Sequence, residues 1–158
     1  MIEIADILRQ HPFTQGLDEE IVDLIAGCAK NVVFREGQYV FRGGESAEYF
    51  FLVRHGTVAL EMFVPGRGPL TFLTVKSGEI LGSAWLLPPY RYTYDARAVE
   101  LTRAIAFQCD CLRDKCEADH HVGYEMMKRF MPPLIERLQM ARLQSVDVYG
   151  QGTGTSGT

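Results

Sequence analysis

The sequence predicts an α+β fold that is mainly β, built around an antiparallel barrel or roll. Three observations predict it. Short β-rich segments recur from Asn31 to Gln108. Glycine-bearing turns separate them, and helical periodicity appears only before and after this stretch.

Taken in order, Ile2 to Arg9 reads as a short amphipathic helix, closed by His11-Pro12-Phe13 because proline disfavours helix in the residue before it. Leu17-Asp18-Glu19-Glu20 opens a second helix, with acidic residues at the positive end of its dipole. Ile21, Leu24, Ile25 and Cys28 give that helix one apolar face. The expected strands are 32–34, 39–41, 49–53, 57–63 and 70–75, completed by two more near Asp95 to Val99 and Thr102 to Phe107. Beyond Gln108 the expectation is helix again, over Cys111 to Ala118 and His120 to Met131. Pro132-Pro133 then starts a further helix, since proline suits the first helical turn. Met131, Leu134, Leu138 and Ala141 form a stripe on that last segment, suited to a dimer contact or to packing within one subunit. Residues 150–158, rich in Gly and Thr, read as a disordered tail.

Bulk properties narrow the function classes. A chain of 158 residues suits one domain able to bury a core without disulfides or metals. Its net charge of -4, with Lys and Arg scattered, gives no polyanion-binding surface, so nucleic acid is not an expected partner. No apolar run approaches the ~18 residues of a membrane span, and the acidic start lacks signal-peptide character. The expectation is a cytoplasmic protein with free thiols. Cys109, Cys111, Cys116, His120 and His121 are close in sequence, but the C-x-C-x4-C-x3-H-H spacing departs from the usual structural zinc patterns. No nucleophile elbow, phosphate loop or zinc-hydrolase motif is present, so no metal, cofactor or catalytic residue is expected.

The run Gly37-x3-Phe41-x2-Gly44-x2-Ala47-x-Tyr49-Phe50-Phe51-Leu52-Val53-x2-Gly56-x-Val58 resembles the framework of the cyclic nucleotide-binding domain family. The resemblance extends from about His11 to Val146. It implies a jelly-roll-like roll (a double-stranded β-helix) over about 31–108, flanked by N-terminal helices and a C-terminal helical part over 110–147, in one domain of residues 1–149. It also implies a phosphate-binding cassette, F-G-E-x-A-L, four spacers, then P-R-x-A-T-V. In that cassette backbone amides and an arginine hold the cyclic phosphate, and a glutamate holds the ribose hydroxyl.

Laid on without gaps, the cassette places Leu81 at the aromatic position, Gly82 at the glycine, Ser83 at the glutamate, and Ala84, Trp85 and Leu86 after it. Arg91 falls on the proline, Tyr92 on the arginine, Thr93 beside it and Asp95 on the threonine. A one-residue deletion would bring Arg91 onto the arginine position, but it would reverse the alternation of the following strand. The implied ligand-binding residues are Leu81, Gly82, Ser83, Ala84, Trp85, Arg91, Tyr92 and Thr93.

Losing the arginine removes a charge-assisted contact of about 1.5–3 kcal/mol, and Asp95 at the rim would repel a phosphate. Arg91 stands next in sequence and can in principle substitute. Glu79, after Gly78, reads as a turn residue rather than the missing acid.

The resemblance therefore implies a stand-alone, non-catalytic, ligand-sensing regulatory domain with weak or altered affinity for cAMP or cGMP. Its expected output is a protein contact, a dimer or sequestration of ligand, with homodimerisation expected through residues 131–145. The alternative is a degenerate member that has lost nucleotide binding and acts as a dimerisation or scaffold module, or as a sensor of another small ligand.

Overall fold

The computed structural model describes residues 3–153. The chain opens with α1 (Ile4–Gln10), a 3-10 turn at Pro12–Thr14 and α2 (Glu19–Ala26). On α2, Ile21, Val22 and Ile25 are buried, whereas Leu24, expected on the apolar face, is exposed.

The strands follow as β1 (Ala29–Phe34), β2 (Tyr39–Phe41), β3 (Tyr49–His55), β4 (Thr57–Val64), β5 (Gly68–Lys76), β6 (Ile80–Leu81), β7 (Asp95–Ala98) and β8 (Thr102–Gln108). Seven match the expected segments. The two-residue β6 was not foreseen, being too short to show alternation.

All pairings are antiparallel and form two four-stranded sheets, ordered β1-β8-β3-β6 and β2-β7-β4-β5. The sheets enclose a core of Phe41, Phe51, Val53, Val58, Leu60, Val75, Leu81, Tyr92 and the alanines Ala96, Ala104 and Ala106. Small residues on β7 and β8 leave room for the aromatic rings of β2 and β3.

β3 and β8 are buried on both faces, which is why they read as nearly unbroken apolar runs. Phe51 and Val53 belong to the enclosed core, while Phe50 and Leu52 alternate to the opposite face. There Phe50 stacks on Phe107 at 4.8 Å and on Trp85 at 5.4 Å.

Gly56 makes the β3–β4 turn possible. Its φ of +102° is closed to most side chains, and an added Cβ would lie 2.5 Å from Thr102 Oγ1 and 2.7 Å from the Leu101 carbonyl.

Two helices complete the described chain, α3 (Cys109–Ala118) and α4 (His120–Thr153). Pro132 and Pro133 do not start a new helix but lie inside α4. Neither ring has an amide hydrogen, so the ladder lacks two donors, yet the helix continues. Free thiols were expected, but Cys28 and Cys111 form a disulfide. The expected tail begins inside α4, which runs to Thr153; residues 154–158 lie outside the described residues.

The chain divides into two compact units, one ending at Glu125 and the other beginning at Met126. The first holds the roll, α1 to α3 and the first residues of α4. The second is the remainder of α4, on which Met131, Ile135, Leu138, Leu143 and Val146 are exposed. Among the described residues no helix is long and apolar enough to cross a membrane.

Candidate ligand-binding cassette

Leu81 ends β6 and points into the enclosed core. Gly82 follows with φ +92°, a left-handed conformation that favours a residue without a side chain. Ser83 precedes a single 3-10 turn at Ala84–Leu86, and its hydroxyl makes no capping hydrogen bond there. The turn closes through Leu86 N–H to the Ser83 carbonyl at 3.1 Å. Pro88-Pro89 follows with a cis peptide, then Tyr90 with φ +56°.

The cassette residues separate into three groups. Leu81, Ala84 and Tyr92 meet inside the roll. Trp85 is buried on the other face of β3, against Phe50. Arg91 and Thr93 are exposed, on the opposite side of the chain from Tyr92.

Tyr92 is the most constrained of them. Its ring stacks on Phe41 at 3.7 Å with the planes 7° apart. Its hydroxyl donates to the Tyr49 carbonyl and accepts from the Tyr49 N–H at 3.3 Å. Its backbone is held too: Gly44 N–H donates to its carbonyl at 2.7 Å, and its own N–H donates to Glu45 at 3.0 Å. Burial raises the phenol pKa well above the ordinary tyrosine value, so it stays neutral and hydrogen-bonded.

Arg91 donates through Nη1 to the Gly44 carbonyl at 2.8 Å, and its backbone bridges to Ser46. The guanidinium thus braces the outside of the same 44–46 turn that Tyr92 secures from within. Asp95, expected at the rim, accepts from Gly43 N–H at 2.7 Å and faces Arg42 at 3.6 Å. Glu79 accepts from Lys76 N–H at 3.1 Å, closing its own turn as expected.

The sequence profile of the Cyclic nucleotide-binding domain matches residues 31–119. The chain belongs to the cyclic nucleotide-binding domain family.

Among relatives, it is 26% identical over 117 residues to Cyclic nucleotide-gated ion channel 18 of Arabidopsis thaliana. That match covers 68% of this chain and 17% of the channel. A crystal structure from Geobacter metallireducens GS-15, assigned as a cyclic nucleotide-binding protein, superposes with a TM-score of 0.75 at 28% identity. It covers 87% of this chain and 99% of the other. The Catabolite Activator Protein of Thermus thermophilus superposes with a TM-score of 0.68 at 25% identity, over 88% of this chain and 63% of that one.

Two contributors were missed from sequence. Phe41 supplies the face on which Tyr92 stacks, but in sequence it is one alternating aromatic among many. Arg113 of α3 donates to the Trp85 carbonyl at 2.9 Å and lies 4.1 Å from the Tyr90 ring centroid. No local pattern links a helix to a turn 28 residues earlier.

The cysteine–histidine group is dispersed. Cys111 is bonded to Cys28, Cys109 is buried, Cys116 lies beside Gly123, and His121 faces Asp18 at 3.5 Å. Among the described residues no three His, Cys, Asp or Glu side chains are gathered to hold a metal ion.

Proposed function

We propose that this chain is a non-catalytic, ligand-sensing regulatory domain of the cyclic-nucleotide type, with weak affinity for cAMP and cGMP. The observation that carries this reading is Tyr92. At the position matching the family's arginine, a neutral ring is stacked on Phe41 and bonded through its hydroxyl to Tyr49. A phosphate there meets no charge-assisted donor, and such contacts are worth about 1.5–3 kcal/mol each. Arg91 is occupied outside the turn by the Gly44 carbonyl, and Ser83 brings a short neutral hydroxyl in place of a carboxylate. Gly82, Ala84 and the backbone of the 83–86 turn then carry what anion affinity there is, with Leu81, Trp85 and Thr93 as packing and rim.

The domain occupies residues 1–149, works in the cytoplasm without a metal or cofactor, and signals by protein contact rather than by binding nucleic acid. The exposed Met131, Ile135 and Leu138, spaced four and three apart on α4, support homodimerisation through residues 131–145.

Thermal-shift titration tests the ligand reading, because a ligand that binds only the folded state raises its stability by RT ln(1 + [L]/Kd). A small upward shift, reached only at about millimolar cAMP or cGMP, is the expected result. Saturation at about micromolar ligand would overturn the weak-affinity reading. No shift at all would favour the second reading, a scaffold or a sensor of another molecule. The full set of hydrogen bonds around Tyr92 is the observation on that side.

A further inference from the structure

The disulfide joins residues 83 apart in sequence, with Cα atoms 5.7 Å from each other. The β1–β8 ladder sets up the meeting. Ala29 pairs with Phe107, and Gln108 N–H donates to the Cys28 carbonyl at 2.9 Å. Cys111 then stands in the first turn of α3 and shares a cleft with Leu24 of α2.

The two cysteines differ in exposure. Cys28 is 7% exposed, whereas Cys111 is half-buried and lines an open cleft of about 530 Å³ with Leu24, Asp114, Lys115, Ala118 and Asp119. The same helix also reaches the cassette. Two residues after Cys111, Arg113 holds the Trp85 carbonyl and covers Tyr90, and Cys109 N–H donates to Glu48 at 2.9 Å.

We propose that Cys28–Cys111 is a thiol–disulfide exchange site, opened by dithiol reductants at Cys111 Sγ from this cleft, and that its state sets how firmly α3 holds the 84–90 turn. The inference is independent of the cyclic-nucleotide reading, since no ligand enters it.

A thiolate of the dithiol attacks Cys111 Sγ, the bond to Cys28 breaks, and Cys28 leaves as a thiolate that takes up a proton. The second thiol of the reductant, deprotonated, attacks its own sulfur in the mixed disulfide and releases Cys111, which is protonated in turn. Two electrons and two protons pass to the pair, and the dithiol becomes a disulfide. A disulfide-bearing oxidant reverses the sequence.

The neighbouring cysteines do not compete. Burial pushes the Cys109 thiol up to about 12 and also raises that of Cys116. At neutral pH both stay protonated, and the thiolate is the attacking species.

The test uses the full chain without denaturant. The protein is treated with increasing dithiothreitol, trapped with a maleimide and mapped by peptide mass. Cys28 and Cys111 should pass together from unlabelled to labelled, while Cys109 stays unlabelled and Cys116 labels equally in both states.

Hydrogen exchange of residues 84–90 and 109–118 should then rise several-fold on reduction. Cys111→Ser should reproduce that pattern with no reductant present, and if this variant does not fold, the reduced wild-type chain gives the same reading. Labelling of the pair before reduction would overturn the bridge. Labelling that requires denaturant would overturn access from the cleft. Unchanged exchange at 84–90 would overturn the link to the cassette.

Discussion

Two buried rings, His11 and Tyr92, show how single residues hold this roll. His11 is 5% exposed, between α1 and the 3-10 turn. Its Nδ1 accepts from Phe13 N–H at 3.1 Å, so Nε2 carries the proton and donates to the Val53 carbonyl at 3.0 Å. Burial lowers its pKa below the ordinary 6.5; the Val53 bond opposes that and nearby Arg54 adds to it. Protonating Nδ1 would also break the bond to Phe13.

Because the folded pKa is the lower one, the unfolded chain takes up this proton first as pH falls. Stability is therefore full above the ordinary histidine value, declines as pH falls toward the folded pKa, and levels off below it. Urea unfolding at about pH 7.5 and about pH 5.5 should show the wild type losing more stability than His11→Ala. Equal losses would mean that other groups govern the acid limb. Tyr92, by contrast, stays neutral throughout and serves through stacking and its hydroxyl. Position 92 carries a structural contact, a ring stacked on Phe41 and bonded to Tyr49.

Elements explain why the fold tolerates such a change. The cassette connects β6 to β7, and β7 pairs with both β2 and β4 independently of what stands at position 92. Tyr92 lies in the connection before β7 and fastens the 44–49 segment by stacking and hydrogen bonds. The β3–β4 hairpin is less forgiving, because Gly56 combines positive φ with close approach to Thr102. Gly56→Ala should cost about 2–5 kcal/mol, combining backbone strain with overpacking against fixed backbone. Chemical denaturation checks this, and a loss below about 0.5 kcal/mol, the size of an ordinary surface change, would show that the hairpin relaxes.

The elements were the most legible part of the sequence. Alternation and glycine punctuation placed seven strands within a few residues of their observed ends. Leu24 and the two prolines were misread because tertiary packing and helix continuation override local preference there. β6 was missed because two residues carry no period.

At the scale of the whole molecule, the two units invite separate tests. The first binds or fails to bind a ligand; the second offers an apolar stripe along α4. Leu138→Glu places a charge in that stripe at a position that is 52% exposed in the single chain. Light scattering coupled to size exclusion should show a wild-type dimer and a Leu138→Glu monomer, with circular dichroism unchanged. A variant that keeps its wild-type mass would exclude that face as the interface. Reduction of the Cys28–Cys111 bridge acts in the first unit, so it should leave this mass unaltered.

By itself, the sequence determined the roll, its flanking helices and its family likeness, because periodicity, turn glycines and apolar alternation act over neighbouring residues. It also aligned Ser83 and Tyr92 with the glutamate and arginine positions of the cassette that the resemblance implies. Only the tertiary structure decided what those positions do. Whether Tyr92 points inward, what His11 bonds to and which cysteines meet depend on partners 43, 42 and 83 residues away. Such contacts are created when two sheets close on each other. No local pattern encodes them, since each partner alone is an ordinary tyrosine, histidine or cysteine until the chain brings it face to face with the other.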